Sequence, residues 1–400
     1  MIFDRQHFYF FGSREVTSLH FTLALLYFAE GLISVFVPIY FWKLGIPLWK
    51  ILFFYFLNSL YFLVLLFLFL PALRRLSDKM MMFLSLPFLI LYYFGLGFLG
   101  DFPRIFYVLP AGLAANMLFF NTGYHVDFLG ASDKGRFGQE MGLRHMLASL
   151  AQFSSPFLGA ALIVSFGFAW TFYAGSAFLF LAVLPLFFFP KRTLSPNLTA
   201  SAVLGFLKEK KLVPFTLSGV GMATEKMIGL IFWPLFMYFA FSGSIENLGG
   251  VVSLGILAGS VAAYLIGFVS DHGKRRRMLF WSAIIFAAIW ADRPFLESAY
   301  LIAASSVLGH AAYSSLTVAW SSQYYKIAGA VSDASAFILS REALYHIARV
   351  PFTAALVLGA FYVPQEKLFV IGFVAAACAA LFFLFANRMP HTNQLFHGER

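Results

Sequence analysis

Charge is scarce in this chain of 400 residues: Asp, Glu, Lys and Arg make up 12% of it, against 61% hydrophobic residues. Soluble domains carry roughly twice that share of charge, so a water-soluble fold is excluded. Cysteine is nearly absent as well. The single Cys378 cannot form an internal disulfide. Short segments of alternating polarity are missing, which excludes a transmembrane β-barrel. So are H-E-x-x-H patterns and cysteine clusters, which leaves metal-dependent hydrolysis without support and no cofactor expected. The opening stretch MIFDRQHFYFFGSREVTSLH has no small-residue cleavage site after a hydrophobic run. It reads as an amphipathic lead-in rather than a signal peptide.

What fills the chain instead is hydrocarbon. Apolar runs of about 18 to 25 residues recur from end to end, each long enough to cross a bilayer core of about 30 Å as a helix. They divide the chain into twelve spans, at roughly 20–42, 48–71, 81–99, 104–124, 140–164, 167–189, 212–240, 246–269, 277–291, 296–320, 334–361 and 366–387. The ninth is short, and its charged ends extend it. The net charge of +10 does not point to nucleic acid. With the N-terminus inside, about 22 of the 28 Lys and Arg fall in or beside cytoplasmic segments, the positive-inside pattern. Both termini are therefore expected in the cytoplasm, in a multi-pass protein of the cell (inner) membrane.

The sequence also repeats itself. Shifted by about 195 residues, LHFTLALLYFAEGLISVFVPIYF lies over VPFTLSGVGMATEKMIGLIFWPLF, with FTL at the start, Glu in the middle and Pro about two turns later. SSPFLGAALI of span five likewise lies over RVPFTAALVL of span eleven. The seam is the basic, proline-containing stretch 190–211. Three parts follow: an N-terminal half at 1–189, a cytoplasmic linker at 190–211 and a C-terminal half at 212–400.

Ionisable side chains inside membrane helices are rare and face the interior, so they mark a pathway. Tyr27, Glu30 and Ser34 form one stripe on span one, and Glu225 takes the place related to Glu30 on span seven. Lys226 follows about 100° around the helix and is placed to meet Glu30 across the interface between halves. Span four supplies Asn116 and span five Gln152. Span ten carries His310 and Tyr313, and span eleven Glu342, Tyr345, His346 and Arg349. Spans three, six and twelve are nearly pure hydrocarbon. Gly255, Gly259 and Ala263 on span eight have the small-x-x-x-small spacing of close helix packing.

After the eighth span the chain reads GFVSDHGKRRRM. There Gly267, Asp271, Gly273, Lys274 and Arg275 resemble the G-x-x-x-D-x-G-[RK]-[RK] signature of the major facilitator superfamily. The resemblance implies an all-α integral membrane protein with twelve transmembrane helices in two pseudo-symmetric six-helix bundles that rock about a central cavity. It also implies a gating role for the signature, with Asp271 bonding the cytoplasmic start of a neighbouring helix. Spans one, four, seven and ten would surround the cavity, flanked by two, five, eight and eleven. The chain departs from the drug-antiporter branch. The loop LPALRRLSDKMMM keeps Asp78 without the glycines, Val108 stands where the span-four arginine is expected, and Ser155 replaces the first glycine of the span-five motif.

A carboxylate whose surroundings change between two access states can take up and release a proton, and histidine titrates near neutral pH unaided. Glu30, Glu225 and His310 are therefore proton-coupling candidates. The alternative makes the two glutamates fixed partners of Lys226 and Arg349, and His310 a packing residue. Tyr27, Asn116, Gln152, Lys226, Tyr313, Tyr345, His346 and Arg349 are candidates for substrate binding. Arg349 offers a planar fork suited to carboxylate or phosphate, which favours an organic anion over a neutral sugar-like or amphipathic compound. The expected function is secondary active transport of a small organic solute by a monomer in the lipid bilayer, coupled to protons. An uncoupled facilitator or lipid transporter of the same fold is the alternative. A polytopic enzyme or sensor is remote, since no catalytic constellation is present. Asn121, His125 and Asp127 read as polar gating contacts between spans four and five.

Overall fold

Hydrocarbon offers no partner to a backbone N–H or C=O, so a spanning segment must satisfy these groups within itself. The chain does so with helices. The computed structural model describes residues 14–131, 146–182, 192–194, 198–269 and 275–388. Eleven helices among them are long and apolar enough to cross a membrane. They are α1 (Phe21–Lys43), α2 (Leu48–Leu73), α3 (Asp78–Gly97), α4 (Pro103–Ala131), α5 (Met146–Phe166), α7 (Lys210–Ala240), α8 (Ile245–Ile266), α9 (Arg276–Phe295), α10 (Ala299–Ala328), α11 (Ala334–Tyr362) and α12 (Gln365–Arg388). A shorter apolar helix, α6 (Phe168–Leu181), completes the twelve. The only β contact among the described residues is an isolated antiparallel bridge between Ser77 and Thr193. Large apolar side chains such as Leu68, Leu91, Phe180 and Leu301 stand exposed on the outer faces. That is a liability in water and a match to lipid. This is a multi-pass membrane protein.

Two helices run further than their hydropathy suggests. α4 continues through NTGYHVDFLGA and α10 through WSSQYYKIA, because the polar residues there are used in contacts between helices rather than in loops. α1 is instead interrupted. Pro38 cannot donate a backbone hydrogen bond and crowds the carbonyl four residues earlier. The chain therefore leaves the α-helix at Gly31, makes a 3-10 turn at Ser34–Phe36, and resumes as a helix at Val37–Lys43.

Within the first six helices α3 packs on α4 and α6, α2 on α4, and α1 on α6. Within the last six α8 packs on α10, α7 on α12, and α9 on α10 and α12. The two sets meet where α2 packs on α11 and α5 on α8. Close approach around α5 depends on missing side chains. A Cβ on Gly159 would stand 2.2 Å from the Leu32 carbonyl oxygen of α1, and one on Gly249 would stand 2.6 Å from the Pro156 carbonyl of α5.

Both ends of the interface between halves are closed. On the face that carries the linker, Asn121 Nδ2 of α4 donates to Glu342 of α11 at 3.0 Å. His125 of α4 hydrogen-bonds to the Tyr325 hydroxyl of α10. Phe62 of α2 stacks on His346 of α11 with ring centroids 3.8 Å apart. On the far face Trp42 meets Phe239 at 5.2 Å and Trp49 meets Phe361 at 5.1 Å. The linker itself is fastened to the first half. Asp78 N–H donates to the Arg192 carbonyl at 2.7 Å, Arg192 N–H donates back to Asp78 Oδ1 at 2.9 Å, and the Arg192 guanidinium meets Asp127 at 2.7 Å. Lys79 is ion-paired to the same Asp127. Beyond it a short helix, Ala200–Lys208, lies on α11, with Phe206 edge-on to Phe337 at 5.5 Å.

Gly159→Val should cost about 1 to 3 kcal/mol by overpacking and lower the unfolding temperature followed by tryptophan fluorescence. Gly205→Ala, with nothing within 4 Å of its new methyl, should stay within about 1 kcal/mol. Equal behaviour of the two variants would refute the close contact. The closed linker face can be read by cross-linking. In a Cys378→Ser background, Leu129→Cys with Gly329→Cys should be joined by a short bis-maleimide, because a Cβ at Gly329 stands 3.8 Å from Leu129 Cδ1. Adding Asn121→Ala, which removes a bond to a buried carboxylate, should slow it roughly tenfold; an unchanged rate would remove Asn121 from the closure.

Candidate functional site

Between the closed faces the inward-pointing charges collect. Three carboxylates, Glu30, Glu225 and Glu342, stand among four cations, Lys226, Arg293, Arg341 and Arg349. Glu342 is the most fully engaged, taking Arg341 in an ion pair and Asn121 from the opposite half. The Arg341 guanidinium also lies 4.1 Å above the Tyr324 ring, so this pair belongs to the linker-face closure.

Glu30 is half-buried on α1, just before the break. Lys226 of α7 is its charged neighbour across the interface. No ion pair within 4 Å joins them among the described residues. Lys226 instead stands within electrostatic range of Arg349, Glu342, Glu30 and Glu225 together, and its side chain reaches open space. Next to Glu30, a Cβ on Gly31 would stand 2.9 Å from Gln152 Cγ, which brings Gln152 of α5 beside the glutamate's helix. Tyr27, one turn earlier on α1, lies within electrostatic range of Tyr313 of α10. Arg349 is 4% exposed; its Nε donates to the Ala223 carbonyl at 3.3 Å, and its guanidinium lies 5.7 Å from the Tyr345 ring. Tyr345 turns its hydroxyl to Met222 Sδ at 2.9 Å.

Glu225 is 3% exposed. Its Oε1 accepts from Trp290 Nε1 at 3.2 Å, and Oε2 has no protein partner. It lines a cavity of about 250 Å³ walled by Lys226, Leu230, Trp233, Phe286, Trp290, Arg293, His310 and Tyr313, on α7, α9 and α10. His310 donates from Nδ1 to the Ser306 carbonyl at 2.8 Å. A carbonyl only accepts, so the proton is on Nδ1. Gly255 and Gly259 serve the packing of α8 on this helix: a Cβ on Gly255 would stand 2.6 Å from His310 Nδ1. Gly221 is likewise a packing glycine, turned to the Ala379 carbonyl of α12 at 2.4 Å from a would-be Cβ.

Other candidates lie away from this space. Asn116 donates to the Ser85 carbonyl of α3 at 3.2 Å, so its amide faces a neighbour in its own half. His346 is fully buried against Phe62, and neither ring nitrogen has a partner. Gly267 lies in the last turns of the helix Ile245–Val269, and Arg275 opens the helix Arg275–Asp292. Asp271, Gly273 and Lys274 lie outside the described residues.

Sequence reasoning missed Arg293 and the two tryptophans around it. A signal was present. The apolar part of span nine covers about 22 Å as a helix, short of a bilayer core, so the residues that follow it had to lie inside. It also missed the linker cluster of Asp78, Lys79, Asp127 and Arg192, whose members share no local pattern.

No family model matches the sequence, and no curated protein is similar to it by sequence. Solved structures are similar in fold. The human organic anion transporter MFSD10 (TETRAN) has a TM-score of 0.66 at 14% identity, covering 94% of this chain and 98% of that one. A bacterial homologue of the iron transporter ferroportin, in an outward-facing state, has a TM-score of 0.65 at 11% identity with the same two coverages. With twelve apolar helices in this order and likeness along almost its whole length, the chain has the fold of the major facilitator superfamily.

Proposed function

We propose that this protein is a secondary active transporter that moves a small organic anion across the cytoplasmic membrane by alternating access, coupled to protons. The observation that carries this reading is the imbalance of charge on the inward faces of the helices: Lys226, Arg293, Arg341 and Arg349 against Glu30, Glu225 and Glu342. A surplus cation away from water is costly, and a bound anion removes the cost. Of the four, Arg341 is spent on Glu342, whereas Lys226 and Arg349 make no ion pair within 4 Å among the described residues. The fold likeness to the human organic anion transporter MFSD10 accords with this class of solute.

Alternating access follows from the two closures. Breaking the contacts of α4 with α10 and α11 would open the cavity to the linker face, which the basic loops make cytoplasmic. Breaking the aromatic contacts of Trp42 and Trp49 would open it to the other side. The halves 1–189 and 212–400, joined by 190–211, are the rocking bodies. Glu225 supplies the coupling position, because its Oε2 has no protein donor and a proton there satisfies it. Glu30 is the equivalent group in the first half, with His310 on the wall of the same cavity. Asp271 and its neighbours act as the gating turn, and the protein works as a monomer.

Proteoliposomes test this with a panel of monocarboxylates and an imposed pH gradient. At least one acid should accumulate faster as the external medium is acidified. Glu225→Gln, which holds the neutral form at all pH values, should abolish that pH dependence, as should Glu30→Gln. Accumulation that ignores the gradient and survives both changes would rule out proton coupling. Failure of every solute to exchange would rule out transport.

A further inference from the structure

The cavity walled by α7, α9 and α10 lies inside the second half rather than between the halves, and Arg293 is its unusual member. The residue is 3% exposed. Its guanidinium is sandwiched between Trp233 and Trp290, 3.6 and 3.8 Å from the two ring centroids. Nε donates to Ser305 Oγ at 3.3 Å, and Nη1 is a buried donor with no partner among the described residues. Glu225 is the carboxylate within electrostatic range. It makes no ion pair with Arg293 within 4 Å among the described residues, and one of its oxygens is taken by Trp290. Gly309 makes room for the guanidinium against α10, since a Cβ there would stand 2.7 Å from Nη2.

Indole faces satisfy the two faces of a guanidinium by cation–π attraction. They do nothing for its in-plane N–H donors. A planar carboxylate is the group that fits that edge. Leu230, Phe286 and the Trp233 ring give the cavity an apolar part beside the polar groups of Glu225, Lys226, His310 and Tyr313, and about 250 Å³ admits only a compact body.

We propose that the second half holds a carboxylate subsite of its own, in which Arg293 takes the acid group edge-on and Leu230, Phe286 and Trp233 enclose a compact apolar or aromatic body. The subsite rests on the organic-anion reading above and adds where the anion is held and what it must carry. It is distinct from the position served by Arg349, on α11.

Binding of 2-naphthoate and of its neutral counterpart 2-naphthamide to the full chain in nanodiscs, followed by thermal stabilisation and by calorimetry, tests the assignment. The acid should bind the wild-type protein roughly tenfold or more tighter than the amide. Arg293→Gln should erase that preference, and Arg293→Lys, which keeps the charge without the planar fork, should weaken it strongly. Arg349→Gln should preserve it. If the Gln variant does not fold, the Lys variant decides. A preference kept in the Arg293 variants and lost in Arg349→Gln overturns the subsite and leaves the organic-anion reading standing. Equal binding of acid and amide by the wild-type protein overturns both.

Discussion

Charge that cannot reach water must be matched by charge, by an aromatic face or by a ligand, and the interior of this protein is arranged around that requirement. Each of the three solutions is present within a few helical turns. Arg341 and Glu342 match each other, and their pairing also draws Asn121 across from the first half. Arg293 is matched by two indole rings. Lys226 and Arg349 are left to the space between the halves. The helices are largely interchangeable hydrocarbon elsewhere, so these few residues define which faces turn inward.

The same requirement explains why the close helix crossings use glycine. Apolar side chains gain little by leaving lipid for other apolar side chains, so packing between spans depends on intimate van der Waals fit. Gly159 and Gly249 place α5 against a backbone carbonyl contact on either side, α1 and α8. α5 thereby packs on both sets of helices at once, and with the packing of α2 on α11 it joins them.

Much of this was legible in the sequence. Hydropathy located most of the spans, though it ended α4 near 124 and α10 near 320 where the helices run on to Ala131 and Ala328, and the repeated FTL, Glu and Pro positions paired Glu30 with Glu225. Pro38 served only as a landmark of the repeat, not as the sign that α1 would break ahead of it and resume past one 3-10 turn. The remainder depended on information that a single strand of letters does not hold. Asn116 has the right depth for a cavity residue, yet the rotation of α4 against α3 gives its amide to Ser85. His346 shares a helix face with Arg349 by spacing, yet α2 brings Phe62 flat against it. Arg192 and Asp78 are 114 positions apart, and only the folded chain makes them partners.

The fastening of Arg192 to Asp78 has one more consequence. The linker is held to α3 at that point and to α11 through the short helix that begins after Thr199. Seven residues separate the two anchors, and a fully extended chain of that length reaches roughly 25 Å at most. The linker is therefore a leash rather than a loose loop. While both anchors hold, its length sets an upper limit on how far α3 and α11 can separate on that face.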